Sequence, residues 1–576
     1  MNSLQEGCDK TNDLSKLIPS IIDEISAVSP ERLYGEVPVS PTGCGSGTRK
    51  VTYRMLANVI NGMAWWITET LGASRDPDFE TLSYIGPNDM GHNIVLLGAV
   101  KAGYKLLLVS PRYGTVGQAR LMKETNCNKL LISPAHPTSQ AAALAAEVDN
   151  LGVWTIPDLP SLFSTQYSHF PYSKTYEQGK TDPLVVIHTS GTSGLPKTIV
   201  WTLEWAVAFA RQRHLQPPSG FESLDSTVQG VRILSLMPPF HAGHLFASLL
   251  FTIYCGSTCV WPPAGMPPSA QTAAYMAKNV PLDTLWLLPA HIDELGADPQ
   301  LIDSISGSGV DTLFWAGGPV LEKSGEAIAK QLQLCTTCGS TETGMWPSIR
   351  TAGHWDANTW RYMCFHPRAN LHFQEQTDGL FGAVFEKPSC DEEVPPAFCI
   401  FTQDSQFDTK DLFRQHSRLG DYTCWTYHGR SDDLQVFQTG FKWHPVAAER
   451  RIVTESRGDI QEALLIGTGR TEIVALFELS ADTQLQIDKL RETGREGESR
   501  RKLGEVLDGI WPTIEEVNRS APVYVRISRD RVVFTDSGRP MVRTAKGSIQ
   551  RKQTVADYEG QIQEVLEGVH ITQKPY

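Results

Sequence analysis

The chain has 576 residues, too many for one hydrophobic core, and its 41% apolar and 20% charged residues fit a globular protein of several domains. Its 51 basic and 64 acidic side chains leave a net charge of −13, which argues against nucleic acid or an anionic membrane as main partner. The start, Met1-Asn-Ser-Leu-Gln-Glu-Gly-Cys-Asp-Lys10, lacks the basic end and apolar centre of a signal peptide. No apolar run is long enough to span a bilayer, so the chain reads as cytoplasmic.

In chain order, a weakly amphipathic segment over 14–25 and a Pro/Gly/Ser-rich stretch over 37–48 precede a strand over 49–53 and a helix over 54–71. Strands follow at 82–86, 106–109, 129–133 and 184–187, with a helix over 93–105 after the first. Further strands at 233–237, 284–288 and 312–316 continue the rhythm. Strand and helix alternating at this spacing predict parallel, doubly wound sheets. Beyond about residue 350, short strands at 371–375, 383–386 and 398–401 between polar turns predict a small β-barrel. After 429–433 come a strand, a helix, a hairpin over 463–475 turning at Gly467-Thr-Gly469, and a charged helix over 489–507. Eleven scattered cysteines fit reduced thiols, and the single close spacing, Cys335-Thr-Thr-Cys338, reads as a buried strand end.

The densest chemistry is His188-Thr-Ser-Gly-Thr-Ser-Gly-Leu-Pro-Lys-Thr198, placed between the strand at 184–187 and the β-rich Ile199-Val-Trp-Thr202. Gly191 and Gly194 let backbone N–H groups approach a polyphosphate, while four hydroxyls and Lys197 add donors and charge. Pro196 occupies the place where a Walker A loop has glycine before its lysine, so this is not a helix-opening P-loop. Further clusters follow in order: Pro238-Pro-Phe-His-Ala-Gly-His244; Trp315-Ala-Gly-Gly-Pro319; Cys338-Gly-Ser-Thr-Glu-Thr-Gly344; then Asp411, Gly429-Arg-Ser-Asp432 and Arg543-Thr-Ala-Lys-Gly-Ser548.

Taken together and in this order, the motifs resemble those of the adenylate-forming superfamily of acyl- and aryl-CoA ligases, nonribosomal peptide synthetase adenylation domains and luciferases. The likeness runs from about residue 50 to 552. Asn518-Arg-Ser-Ala-Pro522, the block from Pro540 to Arg551, and Gly429-Arg-Ser-Asp-Asp433 followed by Gly440-Phe-Lys-Trp-His-Pro445 look closest to the adenylation part of fungal synthetase-like carboxylic acid reductases. The resemblance implies an α/β fold: a large N-terminal domain (1–429) of two doubly wound sheets plus a β-barrel near 350–429, a hinge at 430–433, and a small mobile α+β lid over 434–576.

It also implies a reaction in which a carboxylate attacks the α-phosphorus of ATP, pyrophosphate leaves, and a pantetheine thiol later displaces AMP. Positioning and charge stabilisation then do the work. By this likeness Thr189, Ser190, Thr192, Ser193 and Lys197 hold the β- and γ-phosphates, Thr341 meets the α-phosphate, and Glu342 binds Mg2+, a hard cation suited to oxygen ligands. Ser340 belongs to the same nucleotide-binding set. Gly317 and Gly318 flank adenine, and Asp411 accepts from the ribose hydroxyls, with Asp421 the alternative. Arg430 reaches ribose or phosphate, Asp432 is the hinge, and Lys546 bridges carboxylate and α-phosphate.

The acid pocket by position comprises His241, Trp315, Gly317, Thr337, Met345 and Trp346. His241 stands where amino-acid-activating relatives carry aspartate, which disfavours an α-amino acid. Two tryptophans and a methionine suggest an aromatic wall for an aryl or other compact acid, or for a quaternary ammonium. Cys338 replaces the aromatic residue usual beside adenine. No carrier-like or reductase segment follows Lys546 within these residues; if the chain is complete, the acceptor thiol is expected on CoA or on a separate carrier protein bearing 4'-phosphopantetheine, and if it is a piece of a longer protein, those parts lie downstream. The alternatives are the adenylation portion of a multidomain carboxylic acid reductase, and an inactive homologue that binds acid and nucleotide.

Replacing Lys546 by alanine should cut acid-dependent ATP–pyrophosphate exchange by about 10²–10³-fold, the scale for one preorganised charge-stabilising donor. ATP affinity in calorimetry should change little. Exchange near the wild-type rate would remove Lys546 from the reaction.

Overall fold

The computed structural model describes residues 15–74, 79–111, 113–190, 196–353, 355–376, 379–389, 393–439, 441–521, 525–543 and 549–567. They fall into two compact units. One holds the chain up to Ser190 with Pro196–Thr409 and Phe413–Tyr427; the other holds Lys410–Leu412 and the chain from His428 onward.

Two doubly wound sheets build most of the first unit. In one, the strands run in the order Gly152–Thr155, Lys129–Ile132, Thr81–Ile85, Lys105–Leu108, Pro183–Ser190 and Pro196–Thr202. All pair in parallel except the last, which returns antiparallel to Pro183–Ser190. The helix Gly91–Lys101 is buried along its whole length, as its run of Ile94-Val-Leu-Leu-Gly-Ala-Val100 requires. It stops short of the expected residue 105 because Gly103, at φ +79, turns the chain into the strand Lys105–Leu108.

The other sheet runs Gln333–Thr336, Thr312–Trp315, Thr284–Leu287, Arg232–Ser235, Thr258–Val260, Leu33–Ser40 and Gly43–Thr52, parallel until the final hairpin. Successive crossovers reverse direction around Arg232–Ser235. The chain leaving that strand therefore enters a crevice, the position at which open α/β sheets bind ligands.

A third sheet, ordered Leu371–Glu375, Leu380–Glu386, Gln406–Leu419, Tyr422–Arg430, Met363–Phe365, Ser348–Thr351 and Phe221–Ser223, fills the region expected to be barrel-like. The strand expected at 398–401 is instead the helical turn Ala397–Ile400. Pro395 and Pro396 lack the N–H that a ladder needs and start a helix readily, which outweighs the β-leaning Phe-Cys-Ile-Phe pattern.

In the second unit the strands Ile460–Ile466, Val474–Leu479 and Val532–Phe534 form a sheet covered on both faces. Ala463, Leu465, Ala475 and Phe477 pack with Ile510 and Ile514, while the alternating Leu464, Ile466, Val474 and Leu476 pack with Tyr558 and Ile562. The turn between the first two strands contains Gly467 to Gly469, as the sequence suggests. The charged stretch forms two helices, Ala481–Glu492 and Glu496–Ser520, separated where Gly494 adopts φ +69.

His92 and His244 lie fully inside the first unit. Burial lowers the imidazole of His92 to about 3, with His244 nearby adding to the effect, and burial lowers His244 to about 4. Unfolded histidine binds a proton below about 6.5, so from there down to pH 3–4 the unfolded chain takes up protons that these two refuse when folded. Stability therefore falls as pH drops through this window. Asp89, raised by burial to about 6, opposes the trend more weakly. Thermal unfolding should shift down between pH 7 and 5, and His244→Gln should flatten the slope by up to about 1.4 kcal/mol per pH unit. An unchanged slope in that variant would contradict the assignment.

Candidate active site

Four motif segments of the first unit leave the carboxyl ends of its parallel strands. Pro183–Ser190 runs toward the glycine-rich loop, and its antiparallel partner sets Thr189 opposite Lys197 and Ser190 opposite Pro196. Directly opposed residues share a face, so the half-buried Thr189 and the exposed Lys197 project to the same side. Gly191, Thr192, Ser193 and Gly194 lie outside the described residues, as do Lys546, Gly440 and Pro522. His188 anchors the strand: its Nε2 accepts the Ser110 N–H at 3.1 Å, and its ring stacks on Phe240 at 6.3 Å. The polyphosphate strand is thus tied to the segment that carries His241.

His241 sits at the reversal point, after strand Arg232–Ser235. Its Nδ1 accepts the Gly243 N–H at 2.9 Å and caps the helix Ala242–Leu245. Gly317 and Gly318 follow strand Thr312–Trp315. Gly317 has φ +95, and a Cβ there would meet no atom within 4 Å, while one on Gly318 would meet only Pro289 Cγ, at 3.7 Å. Bare backbone facing open space at a sheet's carboxyl edge suits a flat heterocycle.

Gly339–Ser340 and Gly344–Met345 pair as a two-residue ribbon, and Thr341, Glu342 and Thr343 form its tip. Ser340 Oγ accepts N–H from Glu342 at 3.2 Å and Thr343 at 3.1 Å, and Thr343 Oγ1 accepts N–H from Ser340 at 3.1 Å. Trp346 Nε1 adds a fourth bond to Thr343 Oγ1 at 2.8 Å. The N–H groups of Ser340, Glu342 and Thr343 are taken up by the turn's own hydroxyls, and among the described residues the Glu342 carboxylate makes no hydrogen bond or ion pair. A carboxylate left uncommitted on a rigid turn fits a divalent cation, a role that Ser340 supports by shaping the turn.

In the second unit Asp411 is buried, 3.5 Å from Arg430 Nη1, and Arg430 Nη2 lies 3.3 Å from Asp432 Oδ2. Lys410 adopts φ +64, a left-handed conformation that costs a residue with a Cβ about 1–2 kcal/mol. That local strain sits beside the expected ribose ligand. Asp421 is exposed at a hairpin tip beside Gly420. Gly429 has φ +139, and a Cβ on it would lie 2.1 Å from the His444 ring, whose Nε2 meets the Arg430 carbonyl at 3.1 Å. Only glycine allows the main chain to enter Arg430 this way.

The residues expected along the acid-pocket wall pack in different clusters. Trp315 donates to the Gly318 carbonyl at 3.2 Å and packs on Trp360, within a cluster beneath its own sheet. Trp346 packs among Phe365, Phe385 and Phe413 of the third sheet, and Met345 joins the large central core. Three residues read as one wall thus belong to three clusters. Strand geometry turns neighbouring side chains to opposite faces, which separates Met345 from Trp346. Thr337 is buried, with its Oγ1 on the Cys338 carbonyl at 3.4 Å, and Cys338 Sγ touches Met363 Sδ at 3.5 Å.

Parallel strands of two sheets, followed at their carboxyl ends by hydroxyls, bare glycines and a carboxylate without a partner among the described residues, define a doubly wound α/β protein. Residues 36–363 match the AMP-binding enzyme family, and 432–570 match the AMP-binding enzyme C-terminal domain. The chain belongs to the AMP-binding enzymes, the adenylate-forming family. It is 29% identical over 562 residues to a carboxylic acid reductase of Neurospora crassa, covering 96% of this chain and 51% of that protein. Adenylate-forming reductase Nps9 of Serpula lacrymans is 24% identical, covering 86% of this chain and 45% of its own. The chain thus spans about half the length of these curated relatives. Among solved structures, a benzoate CoA ligase from Burkholderia xenovorans LB400 shares the fold at a TM-score of 0.64 and 15% identity, covering 93% of this chain and 99% of its own. No helix among the described residues is long and apolar enough to cross a membrane.

Gly344 combines φ +68 with a ring against it: a Cβ would lie 2.7 Å from Phe209 Cδ2. Gly344→Ala should therefore destabilise the first unit by at least about 1–2 kcal/mol and lower nucleotide-dependent activity by distorting the adjoining turn. Unfolding midpoint and exchange rate both matching wild type would show that the turn tolerates a side chain there.

Proposed function

We propose that this protein activates a compact carboxylic acid, aryl or otherwise without an α-amino group, as an acyl-adenylate and passes the acyl group to a pantetheine thiol of CoA or of a carrier protein. The observation that carries the reading is the Ser340–Thr343 turn, three of whose N–H groups are held by its own hydroxyls while the Glu342 carboxylate has no partner among the described residues. A carboxylate oxygen of the acid attacks the α-phosphorus of ATP, the bond from that phosphorus to the bridging oxygen breaks, and pyrophosphate leaves. Thr189, Ser190 and Lys197 with Thr192 and Ser193 hold the departing phosphates, and Thr341 holds the α-phosphate. Glu342 would hold Mg2+, which when bound neutralises phosphate charge. Asp411 receives the ribose hydroxyls, Arg430 stands beside it, and Lys546 bridges the two reacting anions. Asp432 serves as the hinge about which the C-terminal part moves for thiol attack.

His241, with its Nδ1 occupied by the Gly243 N–H, offers no anionic grip for an α-ammonium, which supports a non-amino acid substrate. A second reading is favoured by the relatives: they include enzymes named carboxylic acid reductase and adenylate-forming reductase, and the chain matches about half of each. On that reading the same adenylation serves a later reduction of the thioester.

ATP–pyrophosphate exchange over a panel of aryl, short acyl and betaine-like acids tests the proposal. At least one compact acid should support exchange, and α-amino acids should not. Thioester should then appear with CoA or with a phosphopantetheinylated carrier. Exchange with no acid at all would refute the adenylating role, and exchange with amino acids alone would refute the substrate class.

A further inference from the structure

Trp205, Phe209 and Arg213 recur every fourth residue on the helix Leu203–Arg213 and so share one face, and Trp201, four residues earlier on the strand Pro196–Thr202, extends the line. Each meets one residue of the Thr-Glu turn, in register. Trp201 Nε1 donates to the Thr341 carbonyl at 2.7 Å, and Trp205 Nε1 to the Glu342 carbonyl at 3.0 Å. The Phe209 ring fills the space beside the missing Cβ of Gly344, and Arg213 Nη2 donates to the Met345 carbonyl at 2.5 Å. Arg213 is itself held by Asp225, 2.8 Å from Nη1, both side chains being fully buried.

The rings are stacked. Trp201 and Trp205 lie 3.9 Å apart at 8°, Trp205 and Phe209 lie 5.8 Å apart at 12°, and Phe246 stacks within 11° of Trp201, Trp205 and Phe209. Phe246 follows the helix that begins at His241. One aromatic stack therefore joins the strand returning from the glycine-rich loop, the Thr-Glu turn and the acid-binding segment.

We propose that Trp201 and Trp205 are positioning residues for adenylation: their indole N–H groups fix the peptide planes of Thr341 and Glu342, and thereby the directions of the Thr341 hydroxyl and the Glu342 carboxylate. This rests on the reading of Thr341 and Glu342 as the α-phosphate and Mg2+ residues. Ser340 Oγ holds the N–H side of both peptides, and the indole N–H groups hold the carbonyl side, so each plane is fixed from both ends. For packing alone, phenylalanine would serve at both positions. The N–H is what the turn requires.

Trp205→Phe keeps one aromatic ring in the stack, deletes that proton and loses the second ring, a volume change that Trp286→Phe reproduces. It should raise the Mg2+ concentration for half-maximal exchange and lower kcat, each about tenfold, with the KM for the acid unchanged. Trp201→Phe should lower kcat by a similar factor with a smaller change in Mg2+ dependence. Trp286→Phe is the matched control: it removes an indole N–H from the same core that has no acceptor among the described residues, and it should leave both quantities as in wild type. A residue serving structure alone would lower the unfolding midpoint without moving the Mg2+ dependence. Should a phenylalanine variant not fold, 3-benzothienylalanine at position 205, which exchanges N–H for sulfur at constant shape, reads the same shift. Both variants staying within about twofold of wild type, or Trp286→Phe shifting Mg2+ dependence equally, would overturn the inference. Absence of exchange in the wild type would instead refute the adenylation reading beneath it.

Discussion

Two buried indole N–H groups bind the carbonyls of Thr341 and Glu342, and the hydroxyls of Ser340 and Thr343 accept the N–H groups of Ser340, Glu342 and Thr343. A turn at a sheet edge would ordinarily turn its carbonyls to water. Here they face a dry aromatic stack, where an unmade hydrogen bond would cost the full desolvation of the group. The Thr341 hydroxyl and the Glu342 carboxylate take no hydrogen bond among the described residues. A hydroxyl and a carboxylate held in this way are preorganised, which is the form of electrostatic help that costs nothing at the moment of reaction.

The topology delivers the other parts to the same kind of place. Strands Pro183–Ser190, Arg232–Ser235, Thr312–Trp315 and Gln333–Thr336 are each followed, at their carboxyl ends, by a motif segment. Within each sheet, parallel strands put their carboxyl ends on one edge, so motif segments far apart in sequence can share that edge. His188 joins the two sheets' contributions through Ser110 on one side and Phe240 on the other.

Most of the fold is legible in the sequence, because apolar runs of four or five residues separated by amphipathic stretches leave few other arrangements. The backbone-level site is legible too, since glycines and hydroxyls at strand ends have a local chemical reason to be there. Side-chain facing is harder to read. Trp315, Met345 and Trp346 are close in motif order, yet strand alternation and the ribbon after Ser340 send them into separate cores. The segment 398–401 carries a β-like composition, and two preceding prolines override it. The spacing of Trp201, Trp205, Phe209 and Arg213 is visible on inspection, but four-residue periodicity on a buried helix reads as packing. Only the partners of the indole nitrogens distinguish a rail from a core.

The central claim is that this chain joins a carboxylate to the α-phosphorus of ATP. The most direct measurement supplies a supporting acid with both carboxylate oxygens labelled with 18O, follows one turnover to the thioester, and locates the label by mass spectrometry. The account predicts one labelled oxygen in AMP, because the attacking carboxylate oxygen stays with phosphorus when the thiol displaces it. Label in inorganic phosphate with formation of ADP, or no label in any nucleotide, would contradict it.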